Sequence, residues 1–342
     1  MSATGKSAPP RITLQHRVEY AALRLLAGIV RLFPLDMASA GMGAIWQTLA
    51  PLTRRQKRAE SHLAFAMPEL TPAERRRIVK QMWNNYGRVM AETIQLDRLA
   101  ADSRRVVVAP GALNVLTQPH EKAVFVAMHM ANWEVAVLSG RPYGQLNVSV
   151  YQSVQNPLID RWLLNLRRPL YEELLPKAPS TARHLLAHVK RGGTVAILGD
   201  LREGAGISVP FFGHPALANP FPALLARSNG GPLYAVLVRR LEGATFLVDA
   251  ARVEVPETDD RQADVHAATA GLHRQFETWI RETPGQWMWT HRKWAVKNPR
   301  RGLQRRAAAG EAAPDTGAAA PDTPHDAPVP QDAQQHTPPP RA

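Results

Sequence analysis

A histidine and a glutamate separated by four residues form the pattern in this sequence best suited to acid–base chemistry. His129 and Glu134 lie in the stretch His-Met-Ala-Asn-Trp-Glu, which directly follows the apolar run Lys122–Met128. Such a run predicts a buried strand, and ligands collect beyond the carboxyl ends of strands in open α/β sheets. A neutral imidazole there can take a proton from a hydroxyl, while a nearby carboxylate orients the ring. The alternative is a histidine bonded to backbone and a glutamate on a solvated helix face.

The elements around this pair alternate between short apolar runs and helical patterns. Further strands are predicted at residues 147–152, 194–198, 233–238 and 245–248, and helices at 132–139, 157–170, 181–190 and 263–282. A capping box at Thr71–Glu74 predicts the start of another helix, which should run to about Leu96. This alternation predicts an α/β fold with a single central, mostly parallel or mixed sheet flanked by helices on both faces.

The segment 17–52 is the most apolar part of the sequence. Arg17, Arg24 and Arg31 recur every seven residues and therefore form one stripe of a helix whose other positions are largely apolar. Pro34 should break this helix, and the apolar residues that follow are too few to span a bilayer. The pattern favours helices that lie in a membrane interface, with two ordinary core helices as the alternative.

The two ends of the sequence differ in composition from the middle. Residues 1–16 lack hydrophobic periodicity, and residues 298–342 are rich in proline and alanine. Such segments bury too little apolar surface to offset the entropy of ordering, so both are predicted to be disordered. The remaining segment, residues 53–297, is predicted to be one catalytic domain.

Composition narrows the chemistry and the partners. The chain has no cysteine, which excludes disulfides, thiolate zinc sites, iron–sulfur clusters and a cysteine nucleophile. His184 and His188 have the spacing of metal ligands on a helix but lack an evident third ligand, so no metal site is predicted. The 42 lysines and arginines exceed the 29 acidic residues and give a net charge of +13. This charge favours an anionic partner, namely nucleic acid, anionic lipid or an acidic protein.

Several stretches together resemble one known family. The His129–Glu134 stretch resembles the H-x4-[D/E] signature of the lysophospholipid acyltransferase superfamily. Further blocks resemble the branch that contains the late acyltransferases of lipid A biosynthesis; they are Asn156–Asp160 with Arg167, Gly199-Asp200, Val209–Gly213 and Gln286–Arg292. The resemblance covers about residues 17–297.

This resemblance implies transfer of a fatty acyl group from acyl-acyl carrier protein, or from acyl-coenzyme A, to a hydroxyl of a lipid A precursor. It implies the fold of glycerolipid acyltransferases, His129 as general base, Glu134 as its partner, and no cofactor. It also implies substrate-binding roles for Asn132, Arg167 and Asp200. Arg167 would hold a phosphate or the developing oxyanion, and Asp200 would fix an arginine or a loop.

The resemblance also accounts for the positive net charge of the chain, because acyl carrier protein is acidic and lipid A precursors carry phosphates. Arg239 and Arg240, at a predicted strand end, are expected to help dock these substrates. The expected location is the cytoplasmic face of the inner membrane, in contact with its lipids and without nucleic acid. One alternative is an acyltransferase of the same fold that acts on a lysophospholipid or another glycolipid. The other is a non-enzymatic basic protein that binds membrane or nucleic acid, which would leave the His129 motif unexplained.

Overall fold

The structure, a computed structural model, describes residues 11–117 and 121–294. The predicted disordered tail at residues 298–342 and the first ten residues lie outside these ranges. Its helices are α1 Leu14–Arg31, α2 Leu35–Leu49, α3 Arg54–Ala66, α4 Pro72–Ile94, α5 Leu96–Ala101, α6 Pro110–Thr117, α7 Val135–Leu138, α8 Pro157–Arg167, α9 Pro179–Lys190, α10 Phe221–Asn229 and α11 Arg261–Glu282. Its strands are β1 Val106–Val108, β2 Val124–Ala127, β3 Val148–Tyr151, β4 Glu173–Pro176, β5 Val195–Leu198, β6 Ile207–Phe211, β7 His214–Ala218, β8 Leu233–Arg240 and β9 Phe246–Val253.

A mostly parallel sheet lies at the centre of the described residues, as the sequence predicts. Its strand order is β1-β9-β8-β2-β5-β3-β4, and the pairing is parallel everywhere except between β8 and β9. Strands β6 and β7 form a separate antiparallel hairpin. The helices between the parallel strands supply the crossovers that such pairing needs.

The register of this sheet brings two of the predicted site residues together. Strand β2 pairs in parallel with β5 and with β8, and Ala127 at its end stands opposite Leu198. His129 and Asp200 each follow two residues beyond that matched pair. They therefore emerge side by side at the carboxyl edge of the sheet.

The core that supports this edge is apolar. Val124 and Val126 of β2 are fully buried, as a strand inside a parallel sheet requires. Trp287, Trp289 and Trp294 are all buried against the β6–β7 hairpin and its neighbours. The segment that follows α11 is thus part of the core.

The N-terminal helices pack on the domain with one side only. α1 begins at Leu14, capped by Thr13, and so starts three residues before the predicted helical segment. The break that the sequence predicts at Pro34 is present, because α1 ends at Arg31 and Pro34 is the N-cap residue of α2. Large apolar side chains of α1 and of its C-cap residue remain exposed, including Leu25 at 68% and the C-cap Leu32 at 80%. In the described ranges, no helix is both long enough and apolar enough to cross a membrane.

Candidate active site

His129 and Asp200 form the centre of the site at the carboxyl edge of the sheet. The Nδ1 atom of His129 lies 2.8 Å from Oδ1 of Asp200, and the backbone N–H of His129 donates to Oδ2 at 3.0 Å. Trp287 donates its Nε1–H to the same Oδ2 at 2.8 Å. Because an ionised carboxylate only accepts hydrogen bonds, these contacts assign the proton to Nδ1. In the neutral imidazole the lone pair is then on Nε2, the atom that can act as a base.

Asp200 keeps its charge although its side chain is fully buried. Burial by itself raises the pKa of a carboxyl group. The charge and hydrogen bonds of His129, together with the Trp287 N–H, outweigh burial and hold the pKa of Asp200 well below its usual range. A permanent negative charge therefore stands behind His129.

Glu134, the predicted partner of His129, pairs elsewhere. Arg167 at the end of α8 places its Nε 2.7 Å from Oε1 of Glu134, although this N–H has no aligned acceptor. Tyr171 donates its hydroxyl to Oε2 at 3.1 Å. Burial, and then the charge of Glu134, raise the pKa of Tyr171 and keep that hydroxyl protonated. The carboxylate that contacts His129 is thus Asp200, for which the sequence predicted a contact with an arginine or a loop.

The backbone between His129 and Glu134 explains this change of partner. The predicted helix at residues 132–139 is shorter in the structure, because α7 begins only at Val135. Ala131 has a φ of +47°, a left-handed conformation that L-residues rarely adopt. The chain therefore turns sharply within the motif. His129 and Glu134 do not lie on one helix, so their spacing in the sequence does not determine how their side chains are placed.

Asn132 and Arg240, both predicted to bind substrate, lie in a buried polar cluster instead. Glu92 of α4 is at its centre and has no exposed side-chain surface. Arg240 approaches Glu92 with both Nη atoms, with Nη2 2.9 Å from Oε2, and is only 8% exposed. Asn132 donates to Oε2 of Glu92 at 3.0 Å and accepts from the backbone N–H of Glu134. Through Asn132, this cluster holds the turn between His129 and Glu134 in place.

The prediction that Arg239 and Arg240 form a pair of docking residues is therefore wrong for Arg240. Successive residues of a strand point to opposite faces of the sheet, so only one of two neighbours can face solvent. Arg240 points inward to Glu92, whereas Arg239 is partly exposed and pairs with Glu282 at 3.1 Å.

Two further side chains surround the imidazole. The rings of Trp133 and His291 lie 5.0 Å and 5.4 Å from that of His129. Burial, followed by the charge of His129, lowers the pKa of His291 to about 4, so its ring stays neutral near pH 7. Neither was selected from the sequence, although both belong to stretches that carried the family resemblance.

A buried lysine lies behind the site. The Nζ atom of Lys293 is 3.0 Å from Nε2 of His273, whose Nδ1 faces the carbonyl oxygen of Thr269 at 2.9 Å. Burial lowers the pKa of Lys293 to about 8, partly opposed by the charge of Asp200. Burial and the charge of Lys293 lower the pKa of His273 to about 3. His273 is therefore a neutral acceptor for the lysine.

The arrangement of these side chains is suited to abstracting a proton. Within residues 11–117 and 121–294, no three His, Asp or Glu residues are grouped to hold a metal ion. His184 instead contacts Glu173 at 2.8 Å. A carboxylate-oriented imidazole at a sheet edge is suited to activating a hydroxyl nucleophile.

Comparison with known proteins identifies the family of this chain. The family model described as bacterial lipid A biosynthesis acyltransferase matches residues 11–296, most of the chain. The chain belongs to this family. It is also similar to the lipid A biosynthesis lauroyltransferase of Escherichia coli strain K12, with 26% identity over 267 residues, which are 75% of this chain and 84% of the relative. The family resemblance inferred from sequence is confirmed, and the protein is an acyltransferase.

Proposed function

We propose that this lipid A acyltransferase moves a fatty acyl group from acyl-acyl carrier protein to a hydroxyl of a lipid A precursor, with His129 as general base. The observation that carries the proposal is the 2.8 Å contact between His129 Nδ1 and the buried Asp200 carboxylate. It places the lone pair of the neutral imidazole on Nε2, and 14% of the histidine side chain remains exposed.

The proposed reaction needs no covalent acyl-enzyme. The Nε2 atom takes the proton of the acceptor hydroxyl as its oxygen attacks the thioester carbonyl carbon. The imidazolium that forms is stabilised by Asp200. Collapse of the tetrahedral intermediate breaks the carbon–sulfur bond, and the leaving thiolate takes the proton from Nε2. The products are an ester on the acceptor and a free thiol on the carrier.

Glu134 has a positioning role in this proposal. Its carboxylate fixes the guanidinium of Arg167, and Tyr171 fixes the carboxylate. A cation held in this way is suited to stabilise the oxyanion of the tetrahedral intermediate. Loss of Glu134 should then lower kcat without removing the pH dependence that His129 causes.

The exposed apolar side of α1 supports a location on the cytoplasmic face of the inner membrane. Its large exposed apolar side chains are Leu14, Val18, Leu25, Leu26 and Ile29, and the C-cap residue Leu32 extends this surface. Arg17 and Arg24 are also exposed and border this apolar surface. Apolar residues flanked by arginines are typical of helices that lie in a membrane interface.

The test is thioester consumption by the full-length protein in detergent, with a lipid A precursor as acceptor and acyl-acyl carrier protein or acyl-coenzyme A as donor. We expect His129→Ala and Asp200→Asn each to lower the rate by roughly 10²–10⁴. The double variant should be little worse than the worse single variant, because the two residues act as a unit.

The matched control is His184→Ala, which removes a histidine on α9 that contacts Glu173. It should retain wild-type turnover. If His129→Ala also retains wild-type turnover with the same pH dependence, the proposed base is wrong. Faster transfer to a lysophospholipid than to the lipid A precursor would contradict the proposed acceptor.

A further inference from the structure

Three arginines converge on the side of the site formed by α3 and the segment that follows α11. Arg55 and Arg58 are three residues apart and so share one face of α3. Arg58 donates from Nη1 to the carbonyl oxygen of Thr290 at 3.4 Å. Arg292 follows two residues later. We call Arg55, Arg58 and Arg292 the arginine cluster.

The arginine cluster adjoins the candidate base through one intervening ring. His291 lies between Thr290 and Arg292, and its ring centroid is 5.4 Å from that of His129. The charges of Arg55 and Arg58 act on His291 and contribute to its lowered pKa. The cluster is therefore close enough to hold one end of a substrate whose other end reacts at His129.

The charge of this cluster is not neutralised within the described residues. Other arginines contact carboxylates there, as in the pairs Arg31–Asp97, Arg105–Asp36 and Arg227–Asp264. No Asp or Glu of the described ranges lies within salt-bridge distance of the three cluster arginines. Burial, and then the charges of Arg292 and Arg55, lower the pKa of Arg58. Three cations that repel one another in this way are stabilised by a bound anion.

The start of α3 adds to the positive potential. Its first turn contains no acidic residue, and the Thr53 side chain donates to the carbonyl oxygen of Ala50 instead of capping the helix. The free N–H groups of a helix start carry a partial positive charge that favours anions. Arg55 lies within this first turn.

We infer that the arginine cluster binds a phosphate group of a substrate beside His129. Guanidinium groups match phosphate oxygens with paired N–H donors, whereas a carboxylate from the protein would have neutralised the site permanently. The inference rests on the proposed acyl transfer, whose two substrates both carry phosphate. The phosphate belongs either to the sugar of the lipid A precursor or to the phosphopantetheine arm of the acyl donor.

Direct binding tests the site without requiring turnover. The full-length protein in detergent is titrated calorimetrically with the phosphorylated lipid A precursor, with the same lipid after phosphatase treatment, and with the phosphopantetheine-bearing carrier. For the ligand that supplies the phosphate, Arg58→Gln and the double variant Arg55→Gln/Arg292→Gln should bind about 10- to 100-fold more weakly than wild type. Arg76→Gln, which removes an exposed arginine of α4, should bind as wild type does.

Steady-state kinetics then distinguish the two sources of phosphate. If the cluster variants raise KM for the acceptor, and this increase disappears with the dephosphorylated acceptor, the bound phosphate is that of the sugar. If the cluster variants instead raise KM for the donor, the bound phosphate is that of the phosphopantetheine arm. If cluster variants match Arg76→Gln in binding and in both KM values, the inference is overturned.

The same experiments separate this inference from the proposed function. Suppose that wild type binds the ligand through its phosphate and the cluster variants do not, while wild type transfers no acyl group to the lipid. This result supports the phosphate site and contradicts the proposed reaction. Normal acyl transfer by wild type and by every cluster variant supports the reaction and contradicts the site.

Discussion

The neighbouring arginines at the end of β8 have opposite surroundings and should respond differently to the same substitution. Arg240→Ala leaves the buried Glu92 carboxylate without its cation, which typically costs about 3–5 kcal/mol. Arg239→Ala removes a partly exposed ion pair and should cost less than about 1 kcal/mol. Urea denaturation of both variants measures the difference. Equal losses of unfolding free energy would contradict the burial of Arg240.

The buried His273 should make the protein sensitive to acid. Its pKa is about 3 in the folded protein and near 6.5 when unfolded. Between these values the unfolded chain binds the extra proton, so the free energy of unfolding falls as pH falls from 6.5 towards 3. This group can contribute up to about 1.4 kcal/mol per pH unit.

The matched variant for this effect is His273→Gln, because the glutamine oxygen can still accept from Lys293 while the titrating ring is gone. Its free energy of unfolding should change less steeply with pH over the same interval. Urea midpoints measured at several pH values give both slopes. Identical slopes in the two proteins would show that His273 is not kept neutral by the fold.

At the scale of single residues, the sequence predicted His129 more readily than the carboxylate that contacts it. His129 was predicted because an apolar strand directly precedes it. The pairing with Asp200 depends on the register of β2 against β5, and these strands are about 70 residues apart in the chain. No local pattern carries that register, and Asp200 was singled out only through the family resemblance.

At the scale of elements, the exposed side of α1 should govern attachment to lipid. Leu25→Asp/Leu32→Asp places two charges on positions that are mostly exposed, so the fold should persist. Binding to vesicles that contain anionic lipid should fall strongly, because charges oppose burial in the interface. Flotation of the full-length protein with such vesicles measures this.

The control for the α1 variant is Leu113→Asp, at an apolar position on α6 that is also exposed, at 41%. It should float with vesicles as wild type does. Unchanged flotation of the α1 double variant would contradict an interfacial role for this helix.

Elements with strong local signals were predicted well, and those with mixed signals were not. Thr71 and Glu74 form the predicted capping box, and α4 ends at Ile94, close to the predicted end. The β6–β7 hairpin was not predicted, because Pro210 and Pro215 argue against a central strand. A two-stranded hairpin tolerates both prolines, since its outer edges need no hydrogen bonds.

At the scale of the whole molecule, the net charge of +13 should guide the encounter with an acidic acyl donor. The Debye length shrinks from ~10 Å at 0.1 M salt to ~3 Å at 1 M, so kcat/KM for acyl-acyl carrier protein should fall over this range. His129→Ala should show a lower kcat with the same dependence on salt. A kcat/KM that is constant with salt would contradict electrostatic guidance.

The overall architecture followed from composition and alternation, but the order of its strands did not. Alternating apolar runs and helical patterns predict one sheet covered by helices. The structure places β9 between β1 and β8, and β5 between β2 and β3. Which strands become neighbours depends on how the crossovers pack, and this is a property of the assembled core.

The segment that follows α11 has a consequence for biosynthesis. Trp287 completes the hydrogen bonding of Asp200, Met130 pairs with Trp287 across an isolated bridge, and His291 covers one side of His129. During translation these residues leave the ribosome long after the apolar α1 helix. The candidate site is therefore completed only late in synthesis, and we expect a chain that ends before residue 287 to lack acyltransferase activity.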